Sequence, residues 1–215
     1  MIKKIFIGLA VLVIGFVVGV SMQPAEYAYA ASKVVKGPPE VAYGVVSGFA
    51  KWSEWSPWEG LDPKMNKKVE GPANGKGAKY SWDGNDEVGA GSMTITGAET
   101  NKRVDIDLVF TRPFEAQSKT SYVLEPAKDG TKVTWNISGT NNFMAKAFDL
   151  MVGMEAQMMK DFNKGLDKLD KVTGAEVARL EAEAKAKAEA EAKAKAEAEA
   201  AAAAEGGAEG EAKAN

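Results

Sequence analysis

Chemistry in this chain has few residue types to draw on. It contains no histidine and no cysteine. The commonest general base and transition-metal ligand is therefore missing, as are thiolate nucleophiles, disulfides and thiolate metal sites. A Ser-His-Asp triad and the usual zinc hydrolase centres are excluded. Carboxylates, tyrosines and lysines remain as acid or base groups, and no pair of carboxylates has a spacing that suggests general acid–base work. Asp105 and Asp107 alternate with apolar residues, so both are expected at solvent. Arg112 and Glu115 flank Pro113-Phe114 and read either as a polar pair at one end of a cavity or as a solvated surface pair. No catalytic residue, metal ligand or cofactor is assigned.

The residues that stand out suit contact with an apolar molecule instead. Three of the five tryptophans, Trp52, Trp55 and Trp58, recur at a spacing of three. They read either as the rim of a cavity or as large core fillers that lock short helices to a sheet. Met151, Met154, Met158 and Met159 cluster on one helical stretch. Methionine adapts to irregular apolar ligands, and it is also an ordinary core residue.

The elements that must position these side chains follow from pattern and turn chemistry. Residues 26–35 read as a strand, broken by Gly37-Pro38-Pro39. Pro39 suits a first helical turn and Glu40 its positive end. Val41, Val45, Val46 and Phe49 give that helix an apolar stripe, and a second short helix covers 50–55 before Pro57. Strands are predicted at 67–70, 78–82, 88–98, 103–111, 116–124 and 132–138. The fourth alternates cleanly, with Val104, Ile106, Leu108 and Phe110 on one face. Short turns such as Asp83-Gly84-Asn85 and Lys128-Asp129-Gly130 imply an antiparallel meander. One long helix over 142–172 is predicted to cover its apolar face with Phe143, Phe148, Met151, Met154, Met158, Phe162, Leu166 and Leu169.

Several pieces occur in a recognisable order: Gly37-Pro38-Pro39-Glu40-Val41, Trp52 to Trp58, Gly75-Lys76-Gly77-Ala78 with Tyr80-Ser81-Trp82, Gly89-Ala90-Gly91-Ser92-Met93, Phe110-Thr111-Arg112-Pro113-Phe114, Thr131-Lys132-Val133-Thr134-Trp135 and Asn142-Phe143-Met144. In that order they resemble the SRPBCC superfamily, the START-like helix-grip domains that include proteins named polyketide cyclase/dehydrase. Within it they resemble a membrane-anchored subgroup. The resemblance covers residues 26–172. It implies an α+β helix-grip fold, an antiparallel curved sheet wrapped around a long C-terminal helix with a cavity between them. It also implies a small hydrophobic or lipid-like ligand. A fold does not fix chemistry, so a cyclase- or dehydratase-type enzyme and a ligand-free interaction module stay open beside the binding reading. Within this fold, strand parity and helix spacing give the expected lining: Trp55, Trp58, Trp82, Met93, Ile95, Ile106, Leu108, Tyr122, Trp135, Met151, Met154 and Met158.

At the N-terminus, Lys3 and Lys4 precede an unbroken apolar run over residues 5–20. Its length is at the lower end of what spans a bilayer. Ala28-Tyr29-Ala30 also fits a signal-peptide cleavage site. An uncleaved anchor over residues 1–22 is the favoured reading, because cleavage there would remove half of the first strand. The lysines then place the N-terminus in the cytoplasm and the domain outside it, periplasmic or on the cell surface. Secretion after cleavage is the alternative.

The net charge of −3 is too balanced for a nucleic-acid partner. The acidity is local, with ten Glu against six Lys and Arg in residues 174–215. There an eight-residue repeat, EAEAKAKA, runs from Glu181. Ala, Glu and Lys favour helix over strand, and Glu precedes Lys by four at 181/185 and 189/193. A solvated helix over 174–205 is expected, ending at Gly206-Gly207, with 206–215 disordered. It serves either as a spacer or contact for an envelope protein partner, or as a solubilising extension.

Overall fold

The computed structural model describes residues 2–212. An apolar helix, α1 (Ile2–Met22), leads into strand β1 (Glu26–Val35). Two short helices follow, α2 (Pro39–Val46) and α3 (Trp52–Trp55). Pro39 opens α2 and Glu40 sits in its first turn, as its amide-rich end favours. Six more strands make a meander: β2 (Asn66–Glu70), β3 (Lys79–Asp83), β4 (Ala90–Glu99), β5 (Arg103–Arg112), β6 (Ala116–Ala127) and β7 (Gly130–Thr140). Helices α4 (Phe143–Val152) and α5 (Met154–Ala212) close the order.

All seven strands form one antiparallel sheet in the order β1-β7-β6-β5-β4-β3-β2. The α2–α3 segment carries the chain from one edge of that sheet to the other. Register shifts between β4 and β5, at Ala90/Gly91 and Ile95/Gly97, bend the strands. The first half of α5 lies on the apolar face with Phe162, Leu166 and Leu169 fully buried. Polar ties hold the grip shut. Lys33 pairs with Asp167 at 2.7 Å, the Lys36 amide donates to Asp170 and the Lys168 ammonium donates to the Ser56 carbonyl. This is the α+β helix-grip architecture.

Three local expectations need correction. The helix over 142–172 is broken at Gly153, which has φ 71° and caps α4 in the left-handed conformation. Asn142 starts α4 by accepting the Ala145 amide, and the Asp149 carboxylate accepts the Met154 amide across the break. Consequently Phe143, Phe148 and Met151 are exposed and do not cover the sheet. Arg112 bonds Asp83 at 2.5 Å and the Gly84 carbonyl, so its partner is not Glu115. Helix α5 also continues through Gly206-Gly207 to Ala212, because the flanking Ala and Glu residues offset the roughly 1 kcal/mol penalty of each glycine. Of the segment predicted to be disordered, residues 213–215 lie outside the described residues.

The chain divides into two compact units, Met1–Gly174 and Ala175–Asn215. Side chains 181–198 are exposed throughout and present no apolar stripe. Deleting 175–215 is therefore expected to leave the thermal midpoint of the first unit unchanged. A drop of more than about 4 °C, roughly 1 kcal/mol in a domain this size, would show that the tail is part of the packed unit.

Candidate functional site

The bent sheet and α5 do not meet everywhere. Between them lies a partly open cavity of about 180 Å3. Helix α3 and its exit loop supply Trp52, Ser56, Trp58, Glu59 and Met65 to its wall. The sheet supplies Tyr80, Trp82, Met93, Leu108, Phe110, Thr120, Tyr122, Trp135 and Ile137, and the β3–β4 loop adds Glu87 and Val88. Helix α5 supplies Met158 and Phe162. A wider hollow at one end of the sheet is flanked by Glu26, Asp107, Glu115 and Lys119 and opens to solvent. Its apolar, aromatic wall singles out the smaller space.

Aromatic contacts fix the wall. Trp135 stacks on Phe162 with ring centroids 4.3 Å apart and an interplanar angle of 9°. Trp52, Trp55 and Trp58 approach the same indole at 6.2, 5.5 and 5.7 Å, each nearly edge-on, the arrangement that ring quadrupoles favour. A Cβ at Gly165 would lie 2.7 Å from the Trp135 ring, so the helix needs glycine there to sit this close to the sheet. At the far side, the Trp82 indole donates to the Val88 carbonyl at 3.0 Å and pins the β3–β4 loop to the wall.

The polar groups are few. The Tyr80 hydroxyl donates to Glu59 at 2.6 Å, and Lys67 pairs with the second Glu59 oxygen at 2.7 Å. Burial, then the bond to Glu59, pushes Tyr80 far above its ordinary pKa, so it stays protonated. Trp135 donates to the Thr120 hydroxyl at 3.0 Å, which donates in turn to the Asn136 carbonyl. Burial also raises the Tyr122 pKa, and the Tyr122 hydroxyl has no hydrogen-bond partner in the protein. A buried hydroxyl without a partner is costly. Among the described residues no group of three carboxylates or other metal-ligating side chains comes together.

Seven of the residues expected to line the cavity do so: Trp58, Trp82, Met93, Leu108, Tyr122, Trp135 and Met158. The other five lie elsewhere. Trp55 is fully buried behind the wall, edge-on to Tyr122 and Trp135, and Trp52 lines the cavity in its place. Ile95 and Ile106 share the correct sheet face but pair beyond the cavity, in the solid core. Met151 is 77% exposed and Met154 is half-buried at the start of α5, because the break at Gly153 turns α4 out of line. Sequence reasoning missed Glu59 and Tyr80. Tyr80 shares the parity of Trp82 and was readable from it; Glu59 lies in a loop and had no signal.

Comparisons with known proteins agree with this geometry. No curated protein matches the chain. A protein from Mesorhizobium loti has the same fold with a TM-score of 0.52 at 14% identity, covering 69% of this chain and 98% of its own. A protein from Rhizobium leguminosarum gives 0.51 at 14%, covering 70% and 95%. The di-domain ARO/CYC StfQ from the steffimycin biosynthetic pathway gives 0.56 at 10%, covering 72% and 52%. At these identities the likeness shows the fold alone. The family model for polyketide cyclase / dehydrase and lipid transport matches residues 28–174, the sheet, both short helices and the part of α5 that walls the cavity, and to that family this chain belongs.

Proposed function

We propose that this protein is a membrane-tethered binding domain for a small hydrophobic ligand, held in the cavity between α5 and the sheet. The observation that carries the reading is the aromatic-walled space itself. Its size selects the ligand. Sites for drug-sized molecules run to about 300–1,000 Å3, whereas a dry apolar cavity of about 150 Å3 admits a benzene-sized guest. At about 180 Å3 the site suits one aromatic ring or a short acyl or isoprenoid chain. Binding is favoured over an enzymatic cyclase or dehydratase reading by the state of Glu59. Both of its oxygens already accept hydrogen bonds, and the other carboxylate on the wall, Glu87, is exposed on the β3–β4 loop.

Tethering rests on α1. It is long and apolar enough to cross a membrane, a property that signal sequences share. With Lys3 and Lys4 on the cytoplasmic side, the binding domain lies outside the cytoplasm. The charged tail is then a spacer reaching toward other envelope components.

Trp58, Trp82 and Trp135 make the cavity self-reporting, and the test is intrinsic fluorescence titration of the full chain in nanodiscs. The panel is single-ring phenols and ketones, C6–C10 acyl chains, short isoprenoids and polycyclic aromatics. One-ring and short-chain compounds are expected to bind with Kd of tens of micromolar, the range for about ten heavy atoms at ordinary ligand efficiency. Polycyclics should bind at least about tenfold more weakly. No binding below about 1 mM, or conversion of any bound compound, would remove the reading.

A further inference from the structure

Helix α4 is built inside out for a protein surrounded by water. Its large apolar side chains, Phe143, Met144, Phe148, Leu150 and Met151, are between 45% and 77% exposed. Its two charged residues, Lys146 and Asp149, are half-buried, together with Ala145 and Ala147. Soluble amphipathic helices show the reverse arrangement. A face of five large apolar side chains on a ten-residue helix is a contact surface.

Position identifies what it contacts. Helix α1 packs against α4, with Val20 fully buried. If α1 spans a bilayer, α4 is held beside the emerging end of that span, at the depth of the lipid interface. The β-register adds a second element at the same level. Glu26 pairs with Thr140, Ser118 with Gly139, and Phe110 with Ala116. The start of β1, the end of β7 and the β5–β6 turn therefore share one end of the sheet. That turn carries Phe114, 56% exposed. Phe110 and Ala116 flank it, and Phe110 also lines the cavity.

We propose that the outer face of α4, together with Phe114, is a lipid-contacting surface that seats the domain on the bilayer beside its own anchor. The proposal rests on the reading of α1 as a membrane span. Short helices with an apolar face lie in the interfacial plane with that face among the acyl chains, and α1 removes the entropic cost of bringing α4 there. Seated this way, the domain holds the Phe110 end of its cavity next to the lipid phase, the natural store of a small hydrophobic ligand.

The test uses site-directed fluorescence on the full chain in phosphatidylcholine/phosphatidylglycerol vesicles with brominated acyl chains. The chain has no cysteine, so each introduced one reports a single position. Labels go on Met144→Cys, Phe148→Cys and Phe114→Cys. Leu12→Cys reports α1, and Lys128→Cys reports the β6–β7 turn at the opposite end of the sheet. The α4 and Phe114 labels are expected to be quenched about threefold by brominated lipid, and the Lys128 label not at all. If Leu12 is quenched by lipid while Met144, Phe148 and Phe114 are quenched only by aqueous iodide, the surface proposal fails and the anchor stands. Labels shielded from both quenchers would mean that a second copy or another protein covers α4, which also overturns it. An unquenched Leu12 removes the anchor and the surface with it.

Discussion

Replacing Trp135 by alanine is expected to cost about 3–5 kcal/mol of folding stability. The indole is 2% exposed and stands where every layer of the domain meets. It stacks on Phe162 of α5, touches Trp52, Trp55 and Trp58 of the α3 segment and approaches Tyr122 of β6 at 5.3 Å. Truncation would open a void continuous with the existing cavity. Surrounding groups cannot collapse into it, because α5 is held by Phe162, Leu166 and Leu169 and by its ties to β1 and Ser56. Against a total stability of about 5–15 kcal/mol, such a loss is a large fraction. Trp135→Phe separates packing from hydrogen bonding. It keeps most of the stacked area and loses the bond to Thr120, so about 1–2 kcal/mol is expected. Denaturant unfolding of the two variants checks both figures. A midpoint for Trp135→Ala within error of the parent protein would mean that the sheet and α5 are held by something other than this cluster.

The face on which Trp135 lies was legible because β7 alternates. Val133, Trp135 and Ile137 are buried, with exposed or half-buried residues between them. Strand β5 was legible for the same reason: Val104 and Ile106 are buried while Asp107 is exposed. Parity states which face a residue takes. It does not state how far along the strand the helix presses on the sheet. Ile95 and Ile106 therefore fall in solid core, whereas Met93 and Leu108, two pairs along the same two strands, fall in the cavity. The difference is set by where α5 crosses, a tertiary quantity that a period-two pattern does not carry.

Helix α4 was misread for a local reason. Its residues continue the helical spacing of α5, and one glycine among good helix formers costs only about 1 kcal/mol in a helix. Nothing in the periodicity distinguishes that tolerated glycine from Gly153, which adopts a left-handed conformation and ends the helix. Once the chain breaks there, the phase between α4 and α5 is lost, and Phe143, Phe148 and Met151 turn outward. The apolar spacing was seen correctly, and its direction relative to the sheet was not.

Met158→Asp is expected to weaken ligand binding by more than about 100-fold, the equivalent of about 3 kcal/mol. Met158 is where α5 reaches the cavity, one turn before Phe162. It is half-buried, and the helix is anchored by Phe162, Leu166 and Leu169 farther along, so the variant should still fold. A carboxylate there faces Trp58, Trp82 and Leu108 with no cation lining the same space, since Lys67 is engaged with Glu59. Apolar ligand and ionised carboxylate then compete for one dry volume. Met158→Leu keeps the volume and the apolar character, and its affinity should stay within about threefold of the parent. The carboxylate carries its own signature. Desolvation in the ligand complex raises its pKa, so ligand and proton bind cooperatively, and affinity should recover as pH falls from 8 toward 5. Titration of both variants across that range decides the matter: equal affinity for Met158→Asp and the parent at pH 8 would place the ligand outside this cavity.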